Sequence, residues 1–213
     1  MKGFKLIAAL LIMSVGLNAQ NNNSKAQSLL DRTSAALKAY KNMKVEFSYD
    51  MDNKEAKIHE SKKGLLLVEG NKYRLNIAGQ IIINDSKAVY TYIPDSKEVQ
   101  INDPGEGDAN LTPTSLLDSY QKKYRIKYIR EELQGASNVM IIDLLPIEGK
   151  KFFKIRVVID TKKNQLTSFA LHDKNGNIYS YIIASFQTNI DLKPNSFTFK
   201  ASDYPGVEVI DMR

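Results

Sequence analysis

The sequence predicts an α+β fold: a long antiparallel sheet with helical cover. Three observations carry the prediction. From residue 43 onward, apolar side chains recur at every second position, in short runs separated by turn formers. Just before them, apolar residues recur at steps of three and four, the period of a helix with one buried face. Residues 81–94, IIINDSKAVYTYIP, read as a hairpin to which the neighbouring strands can be referred.

In that hairpin three isoleucines enter the turn Asn84-Asp85-Ser86-Lys87 and an aromatic run leaves it. Asn, Asp and Ser form turns because their short side chains bond their own backbone. Tyr90 and Tyr92 share one parity and therefore one face, with Val89, Thr91 and Ile93 on the other. Pro94 has no N–H to give a ladder and ends the pairing. Both faces are apolar, so the two tyrosines must be covered, either by core or by a ligand.

The chain opens with a positive segment (Lys2, Lys5), an apolar run over 6–15, and Leu17-Asn18-Ala19 before Gln20. This reads as a signal peptide over residues 1–19, cleaved on export, with an apolar run too short to span a bilayer. The remainder, 20–213, reads as one soluble domain without repeat, low-complexity tract or linker. Residues 24–42 form the strong helix. Ala26, Leu29, Leu30, Thr33, Leu37 and Tyr40 make its apolar stripe, and Asn23 or Ser24 is the N-cap.

Val45, Phe47, Tyr49 and Met51 then alternate with polar residues. A polar strand follows at 54–60, and one that is apolar on both faces at 64–68. Tyr73, Leu75 and Ile77 alternate with Arg74 and Asn76; after the hairpin comes a strand at 97–101. Residues 103–114 are a turn-rich loop lacking the alternating oxygen ligands of an EF-hand. A second helix is expected at 114–122, with Leu116, Leu117 and Tyr120 on one stripe. Strands resume at 124–131, 139–145, 152–160, 165–173 and 178–187. Turns lie at 161–164 and 174–177, the latter with Gly176 free to take positive φ. Short strands at 197–200 and 207–210 close the chain.

Composition narrows the function more by exclusion than by signal. There are no cysteines, which removes disulfides, thiolate chemistry and Cys-linked lipid anchors. The formal charge is +6, of which Lys2 and Lys5 leave with the signal peptide; a surplus this small, spread along the chain, reads as solvated surface and not as a nucleic-acid footprint. His59 and His172 stand apart among charged strand residues, without metal-type spacing. No GxSxG, HExxH, phosphate-loop or Rossmann pattern is present, and the paired carboxylates Glu131-Glu132 and Asp50/Asp52 sit at solvated strand or turn positions. No spacing singles out a catalytic centre, so the chain reads as a binding or structural protein, with no cofactor implied. Many strands supply large apolar residues while only two helices are available to cover them, so a bent sheet could bury this surface or leave an apolar hollow.

The order of segments resembles the LolA family of periplasmic outer-membrane lipoprotein carrier proteins. The resemblance rests on residues 83–87 with 89–94, similar to the family's DGk-x-(aromatic)-x-Y-x-P hairpin, and on Val45-Glu46-Phe47 in the first strand. It continues in Gly64 with Lys72-Tyr73-Arg74, in Leu111-Thr112-Pro113 with Leu116-Leu117, in Leu145-Pro146, and in Ile159-Asp160 with Leu166. Phe197-Thr198-Phe199 and the closing residues 206–211 complete it.

The resemblance implies an incomplete antiparallel β-barrel of about eleven strands, with helices covering its open face and an apolar cavity between them that takes acyl chains. Parity and match to the family's positions nominate Phe47, Tyr49, Leu65, Leu67, Tyr73, Leu75, Ile77, Ile81, Ile83, Tyr90 and Tyr92 as cavity lining. Leu29, Leu30, Leu37, Leu116 and Leu117 form the helix lid. The implied partners are acylated lipoproteins, an inner-membrane lipoprotein-releasing ABC transporter, and an outer-membrane receptor or the outer membrane itself, with the carrier a monomer. A binding protein of the same fold for another amphiphile, such as a glycolipid or an envelope-stress lipid signal, is the alternative. The chain departs from the family at Glu69-Gly70-Asn71, where a basic residue and proline often stand, and in having no tryptophan. Lacking the N-terminal cysteine of an anchored receptor, it reads as the soluble carrier.

Overall fold

The computed structural model describes residues 7–104, 113–148 and 151–213. Helix α1 (Ile7–Ala39) leads into six strands: β1 (Met43–Asn53), β2 (Ile58–Glu69), β3 (Lys72–Ile77), β4 (Gln80–Asn84), β5 (Val89–Ile93) and β6 (Glu98–Asn102). Helix α2 (Pro113–Lys123) precedes five more: β7 (Tyr124–Gln134), β8 (Ser137–Pro146), β9 (Phe152–Asp160), β10 (Gln165–Asp173) and β11 (Ile178–Thr188). A short β12 (Glu208–Asp211) follows a long C-terminal crossing.

All twelve strands belong to one open sheet, ordered β12-β6-β5-β4-β3-β2-β1-β11-β10-β9-β8-β7. Two meanders therefore meet where the first strand pairs antiparallel with the eleventh, Met43 opposite Thr188 and Asp52 opposite Ile178. The turns follow their residue chemistry. Asn84 Oδ1 accepts the Ser86 N–H at 2.7 Å, and Asp85 Oδ1 accepts those of Lys87 and Ala88 at 2.8 Å. Gly176 takes φ +79 between β10 and β11, as its turn requires.

Several elements differ from the sequence reading. The helix begins at Ile7, so the proposed N-cap Asn23 lies inside it. Its Oδ1 instead accepts the Tyr128 N–H at 2.8 Å, beside the bulge between Tyr128 and Arg130 in β7. The stretches at 54–60 and 64–68 are not two strands: residues 54–57 are a turn, and β2 runs unbroken through the rest. Residues 197–200 are not a strand, because they lie across a sheet face and pack by their rings. The closing strand pairs parallel with β6, Glu208 beside Glu98, so the sheet has twelve strands and one parallel edge. Residues 105–112, most of the turn-rich loop, lie outside the described residues.

The helices define an inner face. α1 lies over β7 and β10, and α2 packs on α1 and β7. Ala26, Leu29, Leu30 and Leu37 of α1 join Leu116, Leu117 and Tyr120 of α2 in one core with Ile142, Leu144, Ile155, Val157 and Ile159. The two helices are also tied to each other. The Tyr120 hydroxyl donates to Asp31 at 2.6 Å, Gln121 donates to the same carboxylate at 2.7 Å, Gln27 bonds Tyr120, and Lys38 pairs with Asp118. Burial and the Asp31 carboxylate together push the Tyr120 hydroxyl up to about 12.

The outer face of the other half has its own cover. Asn42, buried where α1 gives way to β1, clamps the chain as it leaves β11. Its Oδ1 accepts the Ile190 N–H at 2.8 Å, its Nδ2 donates to the Ile190 carbonyl at 3.0 Å, and its own carbonyl accepts the Asn189 N–H at 2.9 Å. From there the C-terminal segment crosses to β6, and Phe199 and Val207 pack on Tyr90, Tyr92, Val99 and Ile101.

Candidate functional site

Hydrogen-bond register assigns each nominated residue to a face, because residues directly opposite on neighbouring strands point the same way. One row runs Val45, Leu66, Leu75, Ile82, Thr91 along β1 to β5 and joins the helix-covered core. This is the inner face. Two rows of opposite parity run Lys44, Leu67, Arg74, Ile83, Tyr90, Ile101 and Glu46, Leu65, Asn76, Ile81, Tyr92, Val99. They form the outer face.

The nominated lining is thereby divided. Phe47, Tyr49, Tyr73, Leu75 and Ile77 belong to the inner face, and all five lid leucines are buried in the same core. Leu65, Leu67, Ile81, Ile83, Tyr90 and Tyr92 lie on the outer face, so eleven residues do not line one cavity. The physical reason is the strict period of two: Tyr73 and Tyr90 resemble each other in the sequence, yet Tyr73 stands opposite Asn84 and Tyr90 opposite Ile83. The tyrosines of the hairpin are covered by the chain itself. Tyr90 stacks on Phe199 with centroids 5.0 Å apart, and Tyr92 meets Tyr204 at 4.5 Å.

The inner face carries an aromatic ladder at the seam of the two meanders. Tyr181 on β11 is its centre: stacked on Phe169 of β10 at 4.5 Å, 5.2 Å from Tyr49 and 5.7 Å from Phe47, both on β1. Tyr49 also stacks on Tyr179 at 6.5 Å, and Tyr179 meets the edge of Phe152 on β9 at 5.9 Å. Tyr49, Tyr179, Tyr181, Leu75 and Ile77 are only half-buried, so the ladder presents apolar surface that the protein's own core does not finish covering. Burial, with Tyr49 and Tyr179 adding to it, raises the Tyr181 hydroxyl to about 12, and burial first also raises Tyr49. The surface is uncharged through the neutral range.

Phe47 holds its place through Gly64. A Cβ on Gly64 would lie 2.2 Å from the Phe47 Cζ, so the ring occupies space that only glycine leaves open. Phe47, Leu65, Ile77 and Ile81 also line a hollow of about 570 Å³ near the β3–β4 turn, with Glu46, Lys63 and Gln80 at its polar side. The ladder residues Tyr179, Tyr181, Phe169 and Phe152 were not nominated from the sequence. Their alternation in 178–187 was visible, but the pairing of the first strand with the eleventh, which places them beside Phe47 and Tyr49, is not a local signal.

No group of three or more metal-ligating side chains occurs among the described residues. His59 is exposed and bonds Asp52 at 2.6 Å. His172 is half-buried on the outer face, and burial, with Lys154 and Arg156 nearby, lowers its tendency to take a proton. No described helix is long and apolar enough to cross a membrane.

Residues 38–200 match the family described as outer membrane lipoprotein carrier protein LolA. Among solved structures, an uncharacterized conserved protein from Thermus thermophilus is similar at a TM-score of 0.60 and 10% identity, covering 88% of this chain and 99% of its own. A DUF1329 family protein from Desulfovibrio piger is similar at 0.50 and 9%, covering 87% and 98%. A LolA superfamily protein from Nitrosomonas europaea is similar at 0.45 and 12%, covering 82% and 97%. No curated protein sequence matches.

Proposed function

This chain belongs to the LolA family of outer membrane lipoprotein carrier proteins, and from that premise we propose that its inner face shields lipoprotein acyl chains during transfer between membranes. The aromatic ladder carries the proposal. It is a half-buried, uncharged surface at the seam of the two meanders, in the same core cluster as two helices that are tied to each other. Each CH₂ left in water costs about 0.8 kcal/mol, so one long acyl chain costs on the order of 10 kcal/mol to expose. A carrier must offset most of that without holding the chain beyond release. Aromatic faces supply apolar contact, and no bond need be made or broken, so the activity proposed is carriage and not catalysis.

On this reading residues 1–19 direct export and are removed, and residues 20–213 act as one periplasmic domain, as a monomer. Its partners are acylated lipoproteins, an inner-membrane lipoprotein-releasing ABC transporter, and an outer-membrane receptor or the outer membrane itself. The binding surface is Phe47, Tyr49, Leu75 and Ile77 with Tyr179, Tyr181, Phe169 and Phe152. The outer-face residues Leu65, Leu67, Ile81, Ile83, Tyr90 and Tyr92 are not part of it.

The test is native mass spectrometry of protein recovered from its own periplasm, with organic extraction of the bound material. Acylated polypeptide is expected, lost in Tyr181→Glu and retained in Tyr90→Glu provided each variant is folded by circular dichroism. Free lipid alone, lost in the same variant, would keep the inner-face site and move the cargo to another amphiphile. Retention in Tyr181→Glu would refute the site.

A further inference from the structure

At the end of the sheet where β7 begins and β8 ends, cations that are scattered in the sequence are brought together. Arg125 on β7 stands opposite Leu145 on β8, and Lys127 stands opposite Asp143. Lys154 on β9 stands opposite His172, so Arg125, Lys127 and Lys154 share the outer face. Lys151, just before β9, is not part of this group: its ammonium lies over the Phe152 ring of the ladder, 5.5 Å from the centroid. Asp143 is buried and already held by Arg156 through two bonds of 2.7 and 3.0 Å, so it does not neutralise this group.

Two large apolar side chains stand exposed in the same region. Phe153 is 50% exposed, its ring 6.2 Å from that of His172 and 5.8 Å from the Lys154 ammonium. Ile147 is 52% exposed and fixed by the bond from its N–H to the Lys123 carbonyl at 2.9 Å, beside the basic last turn of α2. The nearby exposed carboxylate in sequence is Glu148. An aromatic ring and an isoleucine projecting among lysines is the composition that partitions into the headgroup region of an anionic bilayer, the rings and aliphatic groups entering the interface while the ammonium groups meet phosphates. A nucleic acid would also attract the charge but offers nothing to Ile147.

We propose that Arg125, Lys127 and Lys154, with Phe153 and Ile147 beside them, form a docking surface for an anionic phospholipid bilayer. It lies on the face opposite the aromatic ladder, so a carrier held there would keep its inner face and its helices free. The attachment is electrostatic and reversible: each basic residue brought to such a surface strengthens partitioning about fivefold, and salt weakens it within a Debye length.

Co-sedimentation of the full chain with vesicles of phosphatidylglycerol and phosphatidylcholine, against phosphatidylcholine alone, tests the surface. The readout is the ratio of the two partition coefficients. K127E/K154E is expected to lower that ratio by at least about tenfold, and Phe153→Ala to lower binding to the anionic vesicles severalfold. K162E/K163E, the same charge change at the β9–β10 turn at the other end of the strands, is expected to leave it close to the parent value. All variants are compared at equal helix and strand content. A ratio unchanged in K127E/K154E, or lowered equally in both double variants, overturns the proposal. Because acyl cargo is not involved, Tyr181→Glu is expected to bind vesicles as the parent does, which separates failure here from failure of the carrier reading.

Discussion

In the half of the sheet built from β7 to β11, it is the inner face that is covered, by two helices. In the half from β1 to β6 the outer face is covered as well, by a C-terminal crossing without regular structure over most of its length. The two covers are attached differently. α1 and α2 touch the sheet mainly through side chains, helped by Asn23 on the Tyr128 amide and Arg32 on Asn164, with one backbone bond, from the Ile147 N–H to the Lys123 carbonyl, at the end of α2. The C-terminal segment ends in a strand of the sheet itself and is held at its start by the Asn42 clamp. A helical cover can therefore be lifted without unpairing any strand, whereas the C-terminal cover cannot leave without taking an edge of the sheet with it. A surface that must open and close belongs under the first kind of cover.

The largest expected effect comes from removing the second. Ending the chain after Asn195 deletes β12, Phe199, Tyr204 and Val207, which uncovers Tyr90, Tyr92, Val99 and Ile101. A loss of at least about 5 kcal/mol is expected in urea unfolding, with strong binding of a hydrophobic dye. An unchanged midpoint would mean the crossing is an ornament and the comparison is wrong. Next, Leu30→Ala within the helix-covered core is expected to cost about 3 kcal/mol. Tyr90→Ala, whose partners Phe199 and Ile101 can close on the gap, is expected to cost about half of that, by the same melts. Equal costs would mean the two covers are equally rigid.

Gly64→Ala sharpens the inner face alone. The new Cβ would meet the Phe47 ring at 2.2 Å, so about 1–3 kcal/mol of destabilisation is expected, together with weaker acyl binding as Phe47 leaves the ladder. Retained ladder geometry by aromatic NMR shifts would count against that coupling. The smallest effect is alkaline. Burial pushes Tyr120 and Tyr181 up to about 12 in the fold from the 10.0 of a free tyrosine, so the native state holds more protons in that window. Their contribution to stability is fully present below pH 10.0 and is lost as pH rises towards about 12, seen as a falling urea midpoint. Tyr181→Phe should make that fall shallower.

Local chemistry made most of the elements legible in advance. The hairpin turn at Asn84-Asp85, the alternation of Val45, Phe47 and Tyr49, and the paired leucines of α2 each depend on residues within a few positions of one another. What could not be read depends on partners far along the chain. Nothing near Tyr90 announces that Phe199 will stack on it, and nothing near Tyr49 announces Tyr179 and Tyr181. The face of each strand followed from parity, but which face would be inside followed from where two helices and a tail finally rest. Of the nominated residues, Phe47, Tyr49, Tyr73, Leu75 and Ile77 lie on the inner face proposed to bind, whereas the hairpin tyrosines lie on the other face of the sheet.

The seam between β1 and β11 also sets a timetable. A chain made from its N-terminus presents its first strand early, and β2 can pair with only one of that strand's two edges. The other edge, from Met43 to Asp52, waits for residues 178–188, and Asn42 waits for a partner 148 positions downstream. Until then an unpaired strand bearing Val45, Phe47, Tyr49 and Met51 is open to any other chain with a free edge. A chain proposed to shelter another's greasy surface must itself be sheltered at birth, until Thr188 has arrived to pair with Met43.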